Sequence, residues 1–193
     1  SVDYGLAPEV VWPGCFNDAW AAFAAIAARW DGGLVLAGDS AGGNLAAAVA
    51  HHARGRVEGR IKGQVLIYPG LGGDWAQESY VLHANAPHLT TADMAFYMKV
   101  RTGGAEPPRG DPRYAPLQDC DFSGLPPTVS ITAECDPLAS DGGAYRDAIQ
   151  AAGGQAAWIN VPGMVHGCLR ARAMSHRAAG FFDHVVDAVS GLV

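Results

Sequence analysis

Six residues, Gly38-Asp39-Ser40-Ala41-Gly42-Gly43, limit what this chain can fold into more than any other stretch. The apolar run Leu34-Val35-Leu36-Ala37 leads into them and the Ala-rich run Asn44 to Ala53 leads out. A short, continuously apolar run is the signature of a strand buried on both faces, and Ala is the strongest helix former. The spacing therefore predicts a strand that turns sharply into a helix, with Ser40 at the turn. A Gly-x-Ser-x-Gly turn in that context reads as a nucleophile elbow, which holds a serine in strained backbone at the rim of a sheet. A Cβ at Gly38 or Gly42 is expected to collide with neighbouring backbone. Ser40 also falls at a helix N-terminus, where free N–H groups and the helix dipole favour developing negative charge.

The pattern alone is weak. With 25 Gly and 8 Ser among 193 residues, it arises by chance in about one such sequence in eight. A Gly-rich strand–helix turn is also common in α/β proteins of any function. The rest of the chain has to supply a base and an acid.

Periodicity orders the remaining elements. Ser1 to Tyr4 reads as the end of a strand. Pro13 to Trp30 reads as a helix, because Trp20, Phe23, Ala24 and Ala27 recur at helical spacing. Further strands are predicted at Gly63 to Pro69, Thr128 to Thr132 and Gln155 to Val161. Helices are predicted at Gly142 to Ala152 and Ala171 to Val189. Residues 70–111 break the rhythm, with one helix-like run from Thr91 to Val100, and read as a cap or lid inserted into the repeat. The expected architecture is a single α/β domain over residues 1–193, a mostly parallel sheet flanked by helices.

In such sheets chemistry sits beyond the carboxyl ends of the strands. Ser40, Asp136 and His166 each follow a different predicted strand, in the chain order Ser, Asp, His of α/β-hydrolases. Glu134 and Asp141 are weaker candidates for the acid: Glu134 is still near the strand, and Asp141 reads as the cap of the next helix. His51 and His52 are consecutive on a helix, so their side chains diverge by about 100° and do not share a metal easily. They read as structural or solvated. No metal-ligand spacing, P-loop or G-x-G-x-x-G cradle stands out, so no metal or cofactor is expected.

Composition narrows the partners. The chain is 49% hydrophobic and 17% charged with net charge −6, which is globular, and its scattered cations argue against nucleic acid. No run approaches the roughly 18 apolar residues of a membrane span, and no signal peptide is visible. Cys15, Cys120, Cys135 and Cys168 show no C-x-x-C spacing, so buried thiols in a reducing cytoplasm are expected.

Taken together, the segments Val2 to Glu9, Gly38 to Asn44, Leu66 to Pro69, Leu125 to Pro127, Asp136 to Leu138 and Pro162 to Gly167 resemble the hormone-sensitive-lipase-like branch of the α/β-hydrolases, which holds many bacterial esterases. The resemblance spans nearly the whole chain. It implies Ser40 as nucleophile, His166 as base, Asp136 as the acid that orients it, and the Ala41 N–H as an oxyanion donor. It implies hydrolysis of short- to medium-chain acyl esters. Gly5 stands where the family usually has an arginine, and Cys168 where it has an aromatic residue.

The family also carries a His-Gly-Gly oxyanion motif upstream of the Asp-Tyr segment, and this sequence begins after that point. The chain is therefore expected to be the C-terminal part of a hydrolase, with an apolar strand edge at Leu34–Ala37 that an N-terminal segment or another copy of the chain covers. Two other readings stay open at this stage: a non-catalytic ligand-binding homologue, and a fragment inactive without its N-terminal half.

Overall fold

Four strands pair in parallel in the spatial order β1-β2-β3-β4, which is also their order along the chain. They are β1 (Leu34–Asp39), β2 (Ile61–Ile67), β3 (Thr128–Cys135) and β4 (Ala156–Val165). The helices are α1 (Gly14–Arg29), α2 (Ala41–Ala53), α3 (Glu78–Leu82), α4 (Thr91–Arg101), α5 (Ala139–Ala151) and α6 (His176–Ser190), with 3-10 turns at Pro116–Gln118 and Cys168–Ala171. These assignments come from a computed structural model of the chain, which describes residues 1–57 and 59–193. Parallel neighbours need crossover connections, and α2 and α5 supply two of them.

The alternation of side chains along β2 explains the layering. Leu66 packs with Ala46, Ala47 and Ala50 of α2 and with Tyr145 and Ile149 of α5. Val65 and Ile67 point the other way, against Phe181 and Val185 of α6. Both faces of β2 and β3 are therefore dry, and each buried Val, Leu or Ile contributes about 1.5–3 kcal/mol. On the outer side of α2, Phe16 and Phe23 of α1 pack against Leu45 and Val49. Among the described residues, no helix is long and apolar enough to cross a membrane.

Several expectations change. Residues 1–4 form no strand, because strand geometry is held by a ladder and, among the described residues, β1 pairs with β2 alone. For the same reason β1 is not buried on both faces: Ala37 and Asp39 are exposed and the rest of the strand is half-buried. A largely apolar groove of about 440 Å³ runs along that edge, bounded by Val2, Tyr4, Phe23 and Leu36. The closing helix is divided: a 3-10 turn ends at Ala171, and α6 starts only at His176, where the Ser175 side chain accepts from the Ala178 N–H. In the 70–111 segment a second helix, α3, precedes α4. Helix α4 is started by a capping box in which Thr90 and Asp93 satisfy each other's backbone N–H.

Candidate active site

Ser40 is the hinge between β1 and α2. Its backbone has φ 55° and ψ −117°, a conformation that costs a non-glycine residue about 1–3 kcal/mol. Two hydrogen bonds hold it there: Ser40 N–H donates to the Ile67 carbonyl at 2.9 Å, and Asn44 N–H donates to the Ser40 carbonyl at 3.1 Å. Gly38 is required, since a Cβ there would overlap the Gly42 carbonyl. The expectation for Gly42 is not met, because nothing lies within 4 Å of a Cβ at that position. The close approach is at Gly43, whose Cβ would sit 3.0 Å from Pro69 Cβ and 3.1 Å from the Gly38 carbonyl. Helix geometry turns position 43 toward the end of β2 and position 42 into open space.

Asp136 directly follows β3 and His166 directly follows β4. The structure brings both to the same rim as Ser40. Ser40 Oγ lies 2.8 Å from His166 Nε2, and His166 Nδ1 lies 2.7 Å from Asp136 Oδ2. An ionised carboxylate only accepts, so Nδ1 carries the proton and Nε2 is left to accept from the serine hydroxyl. Asp136 is fully buried, and its second oxygen accepts from the Leu138 N–H at 3.0 Å. Tyr68, itself at φ 33°, packs its ring 4.8 Å from the imidazole and 5.8 Å from Phe181. Ala41 is the first residue of α2, so its N–H is among those with no partner inside the helix.

The two weaker acids stand elsewhere. Glu134 accepts from the Gly163 N–H at 2.6 Å. Asp141 is not a helix cap, since Leu138 holds that position. It is fully buried in the first turn of α5, where it accepts from the Leu71 N–H at 2.7 Å and from the Tyr80 hydroxyl at 2.8 Å. Burial pushes its carboxyl up to about 6 against those hydrogen bonds. Asp141 thereby pins the loop leaving β2 and the ring of Tyr80, both of which line the cavity in front of Ser40.

That cavity has a volume of about 630 Å³. Ser40 and His166 form its floor; Trp75, Tyr80, Leu89, Met94 and Tyr97 from the 70–111 segment form an aromatic and apolar wall. Asn44, one helical turn after Ser40, ties the floor together by donating to the Gly70 carbonyl at 2.8 Å and the Tyr114 carbonyl at 3.0 Å. Sequence reasoning passed over Asn44, Tyr68 and the role of Asp141. Asn44 did carry a signal, as the polar residue that opens an otherwise Ala-rich helical run.

A second imidazole–carboxylate couple lies inside the molecule. His51 Nδ1 is 2.6 Å from Asp119 Oδ2, and its Nε2 is 2.9 Å from the Tyr145 hydroxyl. Burial holds His51 below the usual histidine range despite Asp119. Burial pushes Asp119 up, but hydrogen bonds from His51 and the Asp121 amide outweigh it and keep the carboxyl low. His52 instead packs edge-on against Phe16 and Trp20. The cysteines are all free, and only Cys168 is buried, its thiol pushed up by that burial to about 11.

Comparison with known proteins follows the same lines. A family model described as an alpha/beta hydrolase fold matches residues 1–170. Carboxylesterase NlhH of Mycobacterium tuberculosis is 37% identical over 182 residues, covering 86% of this chain and 55% of that protein. Esterase LipI of the same organism is 35% identical over 173 residues, covering 86% of this chain and 54% of its own length. The chain thus spans about half the length of these curated relatives. A solved esterase of Pyrobaculum calidifontis superposes with a TM-score of 0.87 at 31% identity, covering 99% of this chain and 65% of that one.

Proposed function

The chain belongs to the α/β-hydrolase fold family, in its hormone-sensitive-lipase-like branch, and on that premise we propose that it is the C-terminal part of a serine carboxylesterase acting on short- to medium-chain acyl esters. One observation carries this reading: the hydrogen-bonded line from Ser40 through His166 to Asp136, opening on a mostly apolar cavity. Ser40 Oγ attacks the ester carbonyl as His166 Nε2 takes its proton. Asp136 holds the tautomer and stabilises the imidazolium. The Ala41 N–H donates to the oxyanion. His166 then protonates the leaving alcohol, and water cleaves the acyl-enzyme by the same route in reverse.

No His-Gly-Gly occurs in the 193 residues. The further oxyanion donors are assigned to an upstream segment of the complete polypeptide, which would also lie along the free edge of β1. Losing even one such donor costs about 10²–10³ in turnover. Residues 70–111 are read as the wall of the acyl pocket. In the complete polypeptide, Ser40→Ala should lower p-nitrophenyl acetate turnover by at least about 10⁴. Unchanged turnover would remove Ser40 from the mechanism.

A further inference from the structure

Charge in the reaction cavity is distributed against the trend of the chain. The protein carries a net −6, yet Arg101, Arg109 and Arg170 line the cavity and Glu106 is the one carboxylate among its described lining residues. Among the described residues, none of the three arginines forms an ion pair. Arg109 and Arg170 are exposed, whereas Arg101, the last residue of α4, is half-buried.

Arg101 is also held in one place. Its Nη2 donates to Asn44 Oδ1 at 3.0 Å and its Nη1 to the Tyr114 carbonyl at 3.3 Å. Its guanidinium stacks 4.2 Å from the Tyr114 ring centroid and 5.7 Å from that of Trp12. All its partners are neutral. A partly desolvated cation normally recovers its lost hydration from an anion, and this one has neutral oxygens and ring faces instead. A planar fork fixed in this way is pre-organised for a carboxylate. Its anchor, Asn44, is four residues along α2 from Ser40, about 6 Å of rise, and hydrogen-bonds back to the Ser40 carbonyl. The fork is thus tied through one side chain to the helix turn that carries the nucleophile.

We infer that the cavity selects esters bearing a carboxylate a few bonds from the reacting carbonyl, with Arg101 as the residue that binds it. This rests on the esterase reading above and deepens it. Arg109 and Arg170 add a long-range field at the mouth that draws anions in and is screened by salt. The carboxylate can belong to the acyl part, as in a half-ester of a dicarboxylic acid, or to the alcohol part, as in an acylated hydroxybenzoate.

The test compares isosteric pairs in the complete polypeptide. On the acyl side, mono-p-nitrophenyl succinate is set against p-nitrophenyl 4-methylpentanoate. On the alcohol side, 4-acetoxybenzoate is set against 4-isopropylphenyl acetate. In Arg101→Leu the ratio of kcat/KM, anionic over neutral, should fall about tenfold on one of the two sides. KM should carry the change, and Arg101→Lys, which keeps the charge but loses the planar fork and its stacking, should restore only part of it. Using the ratio cancels any general damage to the site. An unchanged ratio on both sides overturns the inference while leaving the esterase reading intact. If the parent protein cleaves none of the four esters, the esterase reading fails instead. The charge argument is then decided by calorimetric binding of succinate and benzoate to Ser40→Ala: about tenfold weaker binding of either on adding Arg101→Leu supports it, and equal binding of both overturns it.

Discussion

Two histidine–carboxylate couples in this molecule have nearly the same geometry and opposite situations. His166 Nδ1 meets Asp136 at 2.7 Å and His51 Nδ1 meets Asp119 at 2.6 Å. In each, the other ring nitrogen faces a hydroxyl, Ser40 at 2.8 Å and Tyr145 at 2.9 Å. The His166 side chain keeps 12% exposure and opens on the cavity, whereas that of His51 has none. The hydroxyls differ as well. Ser40 sits on a strained turn at a helix N-terminus, while the Tyr145 hydroxyl is fully buried and shared with Gln64. An oriented imidazole is therefore not by itself a reaction centre. Access, and a hydroxyl placed where a substrate can reach it, separate the two.

The largest expected effect is at Asp136. In the complete polypeptide, Asp136→Asn should cut kcat for a p-nitrophenyl ester by about 10⁴, because the imidazole then loses its correct tautomer. The same exchange at Asp119 should leave the kcat of the folded protein within about threefold, as expected for a group outside the reacting atoms. Equal losses at the two sites would abolish the contrast.

Next comes His51→Leu, which strips Asp119 and the Tyr145 hydroxyl of a partner at once. Asp119 keeps Arg54 and the Asp121 amide, and the Tyr145 hydroxyl keeps Gln64, so two hydrogen bonds are lost without leaving an orphan. At roughly 1 kcal/mol for the neutral bond and roughly 2 kcal/mol for the one to the carboxylate, urea unfolding should report a loss of about 3 kcal/mol. A loss below about 1 kcal/mol would mean that the couple is not a structural strut.

The smallest effect concerns the other fully buried carboxylate, Asp141, whose donors are all neutral. Its folded value of about 6 lies above the ordinary 3.8, so between those values the folded state holds the extra proton. The stability this contributes is complete below about pH 3.8 and is lost as pH rises through about 6, an amount on the order of 3 kcal/mol. Asp141→Asn should remove that slope. Unfolding free energies of both proteins at pH 4.5 and 7 measure it, and parallel pH dependences would refute it.

The comparison also marks how far sequence reasoning reached. Ser40, Asp136 and His166 were legible because each follows an apolar run, and the elbow glycines announce a turn. Asp141 was misread as a cap, since its partners, Leu71 and Tyr80, come from a segment some 60–70 residues earlier. The partners of His51 were equally hidden. Its partner Asp119 is 68 residues away, in a stretch without periodicity.

The strand–helix alternation from β1 onward, the parallel sheet and the identity of the three polar residues at strand ends follow from local pattern, since periodicity and turn chemistry act over a few residues. The missing strand at residues 1–4, the extra helix α3 and the divided closing helix do not. Only the packed structure closes the 126-residue separation between Ser40 and His166 to a hydrogen bond. It alone surrounds Arg101 with neutral groups. Those outcomes depend on which distant surfaces exclude water from one another, and no short stretch of sequence encodes that.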